Sequence, residues 1–418
     1  MKPLLFTSLV LGSTLALAGT GHAAPVQAGK PPVQAGSTAP TPQIDMRLIV
    51  DRVMQQHTSG ANSYVGVSIV VIKDGKRHQF HYGEAVDGKG AKPNGNTYYA
   101  IGSVTKTFTG TLLAMFDFKR FVDMDDLLSD RIGDSYHLHG GREHITLRHL
   151  GLHRSGLPKN PPGGANGYET GDYEGDMAAL RESVRDCSAT TCQEPIDDDD
   201  ASIYSNWGFA LLADVLADAK GLRIAGAFDT YLWNPIGMND TGYKYSLRDP
   251  TCLAAGTTCN YDDYGNCSYV AACNDTFHRR AAVGYKLANG APVRGGSEQG
   301  TGSNDYIKSG SGTVWSTPND MSKWLAFHMD ADGDHSSATR TIVAAARRAR
   351  TDDGSAFLGK YQTTDEGHRY LRKVGSITNQ FVTFFGFTDD RKVGVIVFSN
   401  LGSFNVTGVG EDVIDALK

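Results

Sequence analysis

The sequence predicts an α+β fold in which one antiparallel sheet is built from both chain ends, is flanked by helices, and carries an inserted helical lobe. Runs rich in β-branched and aromatic residues lie near the start, over 64–72 and 77–86. Similar runs close the chain, over 369–377, 380–387 and 392–399. Between them the apolar spacing is mostly helical, over 107–118, 145–152, 176–186, 207–219 and 223–233. Strands at both ends with helices between them indicate one sheet with an insertion.

Changes in composition predict the domain boundaries. Residues 1–23 are assigned to a secretory signal peptide, because Lys2 precedes an apolar run and a small-residue segment follows it; a retained anchor is the alternative. Residues 24–42 form a flexible Pro/Ala/Gly linker, and 43–418 form one domain. Its α/β lobe is predicted over about 43–100 and 309–418, its helical lobe over about 101–245, and a disulfide-pinned insertion over about 246–308. The protein is expected to be periplasmic or secreted, without stable membrane insertion after signal cleavage.

Six cysteines in an exported chain favour disulfide bonds. Cys187 and Cys192 are one predicted pair, and the sequence leaves three pairings open for the other four: Cys252, Cys259, Cys267 and Cys273. A zinc site is the alternative, but no Cys-x-x-Cys motif is present. The net charge of −6, without a basic cluster, gives no support for nucleic-acid binding. The acidic run Asp197–Asp200 is interpreted as a solvated loop, with calcium binding as a second interpretation.

Ser103 and Lys106 form the only Ser-x-x-Lys motif of the chain, at the start of a predicted helix. Residues three apart share a helix face, so the serine hydroxyl and the lysine amine are expected to be neighbours. A partly desolvated lysine can act as the base that activates a serine nucleophile. The helix N-terminus also presents N–H groups to a developing oxyanion. The alternative is that Ser103 caps the helix and Lys106 is solvated.

A second acid/base group is predicted at Tyr204, with Asn206 two residues later, directly before the predicted helix at 207–219. A tyrosine near two lysines is expected to have a lowered pKa and to serve as a base. The alternative is a loop tyrosine that precedes a helix. A second Tyr-x-Asn, at Tyr264 and Asn266, lies beside a cysteine with no helix after it and is rejected.

Lys373 and Gly375 lie near the first of the three C-terminal strands, where a glycine leaves room for a substrate backbone at the sheet edge. The backbone N–H of Ser376 is expected to join that of Ser103 as the oxyanion donor pair. The similar Lys-Asp-Gly at 73–75 is a hairpin turn that precedes the nucleophile, and it is interpreted as structural.

Three motifs therefore follow one another along the chain: Ser103-x-x-Lys106, Tyr204-x-Asn206 and Lys373-x-Gly375. Their order resembles the serine β-lactamase and penicillin-binding-protein superfamily, in its class C β-lactamase-related branch. Class A enzymes have Ser-Asp-Asn in the second motif, where this chain has Tyr-Ser-Asn. Three supporting runs are also similar to that branch: Leu150–Pro158, Pro235–Met238 and Gly312–Asp320. The resemblance covers about residues 44–418, apart from insertions at about 159–200 and 246–308, and it implies a β-lactamase/transpeptidase-like fold.

The resemblance implies an acyl-enzyme serine hydrolase without a metal or organic cofactor. Asn206 would hydrogen-bond Lys106 and the substrate amide, and Asn160, Gly375 and Asn405 would bind substrate. His149 and His153 would belong to a structural run rather than a zinc site. The chain looks most like a periplasmic D-alanyl-D-alanine carboxypeptidase/endopeptidase, with peptidoglycan stem peptides or β-lactams as substrates or inhibitors. A class C-type β-lactamase, a carboxylesterase of this fold and a non-catalytic binding protein are the alternatives; the oligomeric state is left open.

The third motif departs from the family pattern. Val374 stands where the family has a threonine, so the hydroxyl that recognises a substrate carboxylate is missing. The glycine-rich stretch that follows in the family is here the bulkier run 376–381. Both changes predict either an altered preference among substrates or weakened catalysis.

Overall fold

The computed structural model describes these residues: 45–58, 64–133, 138, 141–161, 173–185, 192–196, 202–243, 247, 276–295, 310–330, 333, 335–348, 350–377 and 380–418. The predicted signal peptide, the linker and the acidic run at 197–200 lie outside the described residues. Most of the predicted insertion lies outside them too. So do all the cysteines except Cys192, which is buried and disulfide-bonded, so the pairing of Cys192 with Cys187 stays a prediction.

The helices of the described residues are α1 (Met46–His57), α2 (Thr105–Phe118), α3 (Leu128–Ile132), α4 (Leu147–Gly151), α5 (Tyr173–Arg185), α6 (Asn206–Asp218), α7 (Ile224–Phe228), α8 (Thr276–Arg280), α9 (Pro318–Met329), α10 (Ser337–Arg347) and α11 (Val406–Leu417). Short 3-10 turns lie at Gly102–Val104, Arg142–His144 and Asn234–Ile236, and a π-helical turn spans Asp229–Trp233. Within these described residues, no helix is long and apolar enough to cross a membrane.

The strands are β1 (Gly66–Lys73), β2 (Lys76–Gly83), β3 (Tyr99–Ala100), β4 (Gly242–Tyr243), β5 (Tyr285–Ala288), β6 (Ala291–Arg294), β7 (Val314–Ser316), β8 (Ser355–Ala356), β9 (Gly359–Thr363), β10 (Arg369–Ile377), β11 (Phe381–Thr388) and β12 (Val393–Ser399). The main sheet has the order β2-β1-β12-β11-β10-β9-β8, and its neighbours are antiparallel. The first strands of the chain therefore pair with the last, which confirms the predicted sheet built from both ends.

The central strands β1, β11 and β12 are buried on both faces, and successive side chains of each strand point to opposite sides of the sheet. In β1, Val67 and Ile69 pack into one core and Val70 and Ile72 into the other. Helices α1 and α11 cover the first core, to which they contribute Val50 and Val409 respectively. The second core includes the buried side chains of the helical lobe. The sheet is therefore covered by helices on both sides, which explains why these strands have near-continuous apolar sequences.

Two parts of the fold differ from the prediction. The short strands β3, β7 and β4 pair into a small sheet that the sequence pattern did not indicate. The end of the predicted insertion, at 276–295, packs into the body of the protein. Phe277 and Tyr285 are buried in the two cores, and the backbone of Tyr285 bonds that of Asn400. The insertion boundary at about 308 was therefore placed too late.

Candidate active site

Ser103 lies in the 3-10 turn that leads into α2, between the helical lobe and the main sheet. The helix is buried along almost its whole length, including threonines that a solvated helix would place outside. These hydroxyls are satisfied within the protein: Thr107 donates to the carbonyl of Val104, and Thr109 donates to that of Gly310. The buried helix holds Ser103 at a fixed position beside strand β10.

Lys106 is fully buried, and its amine lies within hydrogen-bond distance of three oxygen atoms. Nζ lies 2.7 Å from Oδ1 of Asn206, 2.6 Å from the carbonyl oxygen of Ser311 and 3.3 Å from Oγ of Ser103. Burial, and then the charges of Lys373 and Lys159, hold the pKa of Lys106 well below its ordinary value. A neutral amine that donates to Asn206 and Ser311 directs its lone pair at Ser103 Oγ, so this geometry allows Lys106 to accept the serine proton.

Tyr204 donates its hydroxyl hydrogen to Ser103 Oγ at 2.5 Å. The ring lies between two amines, with Lys106 Nζ 4.9 Å and Lys373 Nζ 5.2 Å from its centroid. Burial nevertheless raises the pKa of Tyr204 to about 12, against the hydrogen bond with Ser103, which lowers it. The expected lowering of the tyrosine pKa is therefore wrong, because desolvation outweighs the hydrogen bond that lowers it. The geometry presents Tyr204 as a proton donor or relay.

The segment around Tyr204 is fixed by the cap of α6. Ser205 accepts a hydrogen bond from the backbone N–H of Gly208 at 2.8 Å, as an N-cap serine does. Its hydroxyl also donates to the carbonyl of Pro158 at 2.8 Å, and the N–H of Asn206 bonds the carbonyl of Lys159 at 2.9 Å. These hydrogen bonds join the segment Tyr204–Asn206 to the end of the Leu150–Pro158 run, which fixes the positions of Tyr204 and Asn206.

Strand β10 approaches Ser103 through two glycines. A Cβ on Gly375 would lie 2.0 Å from the carbonyl oxygen of Ile101 and 2.9 Å from the nitrogen of Ser103. Gly102 has a φ of +52°, and a Cβ there would lie 2.6 Å from the nitrogen of Ser376. The small size of Gly375 is thus needed for contact with the serine segment, and its predicted role toward substrate stays a prediction. The nitrogens of Ser103 and Ser376 both lie at this contact, where an oxyanion pair needs them.

The third motif lines an open edge of the sheet. Strand β9 pairs with β10 only over Arg369–Arg372, so among the described strands none pairs with this edge beyond Arg372. Lys373 is the first residue of that stretch, and its amine contacts the rings of Tyr204 and Phe209. Val374 is 37% exposed. An extended substrate can add to such an edge by main-chain hydrogen bonds, and it would meet an apolar side chain at Val374.

The other predicted site residues divide into two groups. Asn160 is joined to the cluster, since its Oδ1 accepts from Nδ2 of Asn206 at 3.2 Å. Asn405 instead caps α11 by accepting from the N–H of Gly408, and no hydrogen bond described here links it to Ser103 or Lys373. His149 closes a capping box with Thr146 at the start of α4. In the described part of the chain, no group of three or more His, Cys, Asp or Glu side chains could hold a metal ion.

A family model described as Beta-lactamase matches residues 49–417 of this chain. The chain belongs to the beta-lactamase family. A D-alanyl-D-alanine-carboxypeptidase/endopeptidase, AmpH of Escherichia coli (strain K12), is 26% identical over 365 residues, which cover 84% of this chain and 82% of AmpH. Among solved structures, a class C beta-lactamase from Rhodobacter sphaeroides has a TM-score of 0.64 at 20% identity, covering 89% of this chain and 97% of its own. A beta-lactamase/D-alanine carboxypeptidase from Yersinia pestis has a TM-score of 0.64 at 21% identity, covering 89% and 99%.

This member of the beta-lactamase family is therefore a hydrolase of the serine β-lactamase fold. Its site contains two groups that the motifs did not indicate. The carbonyl of Ser311 holds Lys106, and a backbone carbonyl carries no signal in the sequence. His153, interpreted as part of a structural run, lies 3.5 Å from Lys373. The sequence places His153 in the Leu150–Pro158 run, but it could not predict the contact with Lys373, because the two residues are distant in the chain.

Proposed function

We propose that this protein forms an acyl-enzyme on Ser103 and acts as a D-alanyl-D-alanine carboxypeptidase/endopeptidase on peptidoglycan stem peptides. The observation that carries the chemistry is the convergence of two groups on one oxygen. The hydroxyl of Tyr204 lies 2.5 Å, and the amine of Lys106 3.3 Å, from Ser103 Oγ. One group can remove the serine proton while the other delivers a proton to the leaving amine.

In the proposed reaction, Ser103 Oγ attacks the substrate carbonyl carbon and its proton passes to the neutral amine of Lys106. The backbone N–H groups of Ser103 and Ser376 bind the oxyanion, and Lys373 orients the substrate. The C–N bond then breaks as Tyr204 donates its hydroxyl proton to the leaving nitrogen and regains one from Lys106. Water attacks the resulting ester and releases the acyl group, which restores Ser103.

The substrate class is supported by the similarity to AmpH, which extends along 84% of this chain. It is also supported by the open edge of β10, since a peptide can lie along it as an added strand. Incubating the purified protein with muropeptides tests it directly: free D-alanine indicates carboxypeptidase activity, and a cleaved cross-link indicates endopeptidase activity. Release of neither product would exclude the peptidase.

Esterase activity is the second candidate, because Val374 exposes an apolar side chain where the family offers a hydroxyl to a carboxylate. Three probes separate the possibilities. A stable penicillin adduct on Ser103, seen by mass spectrometry, supports the peptidase, and rapid turnover of nitrocefin supports a β-lactamase. Hydrolysis of short-chain nitrophenyl esters without an adduct supports an esterase. Inertness toward all three supports a binding protein.

The nucleophile is tested by Ser103→Ala. We expect complete loss of the penicillin adduct, because no other described hydroxyl is contacted by both Lys106 and Tyr204. Ser403→Ala, at an exposed serine after β12, is the matched control and should label like the wild type. Labelling that persists in Ser103→Ala would show that another residue is the nucleophile.

A further inference from the structure

His153 occupies a backbone position that suits glycine or asparagine better than histidine. It follows the end of α4 with a φ of +61°, a conformation that is strained for a residue with a Cβ. Its ring packs between those of Tyr204 and Phe209, with centroid distances of 4.5 Å and 4.7 Å. Backbone strain of this kind persists where the surrounding structure fixes it, and it is common at active sites.

The hydrogen bonds of His153 fix which ring nitrogen carries the proton. The backbone N–H of Ser205 points at Nδ1 from 3.1 Å, so Nδ1 must be the acceptor. Burial, and then the charges of Lys373 and Lys106, hold the pKa of His153 well below its ordinary value, so the ring is neutral. A neutral ring with Nδ1 as acceptor has its hydrogen on Nε2. That N–H faces the amine of Lys373, whose Nζ lies 3.5 Å away.

An N–H donor favours one charge state of the lysine that it faces. The uncharged amine offers a lone pair to Nε2–H, whereas the ammonium offers only more hydrogens. The other titratable groups around Lys373 are Tyr204, which burial keeps protonated, and Lys106, whose pKa burial holds well below its ordinary value. No ion pair of Lys373 with a carboxylate occurs in the described part of the chain.

Two further effects on Lys373 oppose each other. The faces of the Tyr204 and Phe209 rings, 5.2 Å and 5.7 Å from Nζ, favour the ammonium by cation–π attraction. Desolvation favours the amine and lowers the pKa of Lys373 to about 8. The balance therefore lies close to neutral pH, where a single hydrogen-bond donor can decide it.

We propose that His153 is a positioning residue that sets the charge state of Lys373. Without substrate, the Nε2–H of His153 holds the Lys373 amine uncharged. Lys373 takes up a proton only when an anionic substrate group binds beside it. In that step the lone pair of Nζ forms a bond to a proton from solvent, and the ammonium pairs with the substrate carboxylate. Substrates with a carboxylate thus bind together with one proton, and uncharged esters bind without it. This inference rests on the proposed acyl-transfer function for its kinetic consequences only.

The charge state can be measured without any catalysis. In a Ser103→Ala background, competitive labelling with acetic anhydride as a function of pH, followed by mass spectrometry, reports the midpoint at which Lys373 becomes reactive. Exposed Lys392 serves as the internal control. His153→Asn suits the positive φ and retains an acceptor for the Ser205 N–H, but it is too short to reach Lys373. His153→Gln reaches Lys373 with an amide oxygen that can face an ammonium.

We expect the Lys373 midpoint below about pH 7 in the parent protein, because desolvation lowers its pKa to about 8 and the Nε2–H of His153 favours the uncharged amine further. We expect a midpoint at least one pH unit higher in both His153 variants, a tenfold change in the proton affinity. An unchanged midpoint in both variants would overturn the proposal, and so would a parent midpoint near that of Lys392. The two variants differ in side-chain length, so the test can still be interpreted if one of them folds poorly.

Kinetic measurements on the protein that retains Ser103 provide a second test of the proposal. For benzylpenicillin, which carries a carboxylate, the acylation rate constant should fall as pH rises through the Lys373 midpoint, and His153→Asn should move this fall to higher pH. For nitrophenyl acetate, which is uncharged, neither protein should show the fall. A purely structural role would lower both reactions at every pH by one factor, and that pattern contradicts the proposal. If neither substrate reacts, the acyl-transfer function fails, and the labelling result still decides the role of His153.

Discussion

Tyr204 is the site residue at which burial opposes a hydrogen bond most directly. Its hydrogen bond with Ser103 lowers the pKa of the phenol. Desolvation acts more strongly in the opposite direction and raises the pKa of Tyr204 to about 12. The neutral phenol then donates to Ser103 Oγ at 2.5 Å, and the proposed base is the buried Lys106. This division of roles predicts that Tyr204 matters most where a leaving group needs a proton.

Tyr204→Phe should therefore lower kcat/KM for amide substrates by about 10²–10⁴-fold, the usual contribution of a positioned acid/base group. Nitrophenyl esters should lose much less, because nitrophenolate leaves without protonation. The measurement compares kcat/KM for a peptide and for a nitrophenyl ester in the variant and the wild type. The free energy of unfolding should change by only about 1 kcal/mol, the net contribution of one hydrogen bond.

Tyr231→Phe is the matched control for this substitution. The Tyr231 ring packs against Phe116 in the helical lobe, and none of its ring contacts described here involves Ser103. It should retain kcat/KM for both substrates. An equal loss for amide and ester in Tyr204→Phe would contradict the assignment of Tyr204 as the donor to the leaving group.

Among individual residues, the sequence predicted the members of the site whose function depends on the type of side chain. Ser103, Lys106, Tyr204 and Asn206 were predicted from their motifs, and hydrogen bonds join all four in the structure. The carbonyl of Ser311 could not be predicted, because every residue has one and only tertiary structure aims it. The pKa of Tyr204 was predicted in the wrong direction, since motif spacing reveals neighbouring charges but not desolvation.

Among the elements, the contact between β10 and the turn before α2 decides the geometry of the site. Gly102 and Gly375 face each other's backbone, so neither side of the contact has room for a Cβ. The nitrogens of Ser103 and Ser376 are held at this contact. The spacing of two main-chain segments therefore sets the separation of the proposed oxyanion donors.

Gly375→Ala should push β10 away from the serine segment, because its Cβ would lie 2.0 Å from the carbonyl oxygen of Ile101. We expect a loss of about 1–3 kcal/mol in the free energy of unfolding, the usual cost of overpacking. We also expect kcat/KM to fall about 10²-fold, since small displacements of reacting groups cost that much. Urea denaturation and steady-state kinetics measure the two effects.

The control is Gly226→Ala, in helix α7, where the nearest atom to a new Cβ is 3.9 Å away. This change should be neutral, or should stabilise the helix by about 0.5–1 kcal/mol, without affecting kinetics. Wild-type stability and kinetics in Gly375→Ala would show that the two segments can move apart without consequence.

The elements themselves were predictable to different degrees. Long helices such as α2 and α6 and the buried strands β11 and β12 were predicted close to their observed limits, because apolar periodicity extends over many residues. The strands β3, β4 and β7 were missed, since two or three residues give no periodicity and their pairing joins segments far apart in the chain.

In the whole molecule, Asp353 connects the helical lobe to the sheet side. Its carboxylate accepts hydrogen bonds from the amine of Lys360 at 3.0 Å and from the hydroxyl of Ser202 at 3.3 Å. The guanidinium of Arg154, fully buried in the helical lobe, lies 3.9 Å away. Residues predicted to belong to different lobes thus meet at one carboxylate, a convergence that the motif order alone did not reveal.

Asp353 makes a pH-dependent contribution to stability whose sign follows from its pKa. Desolvation raises this pKa, but hydrogen bonds from Thr351, Ser355 and Lys360 outweigh it and hold the pKa below the ordinary value of 3.8. A carboxyl whose folded pKa is depressed stabilises the fold above its unfolded pKa, and the contribution is lost as pH falls through the folded pKa. The side chain of Asp353 is partly exposed, so solvent screening reduces the contribution to about 1 kcal/mol.

Asp353→Asn should therefore lower the free energy of unfolding by about 1 kcal/mol at pH 7, and the difference from the wild type should shrink below about pH 4. Urea denaturation from pH 7 down to pH 3 measures both. Asp352→Asn makes the same change of charge at the exposed neighbouring residue and should match the wild type at each pH. If Asp352→Asn lost as much stability as Asp353→Asn, the effect would come from net charge, and Asp353 would not be the connection between the lobes.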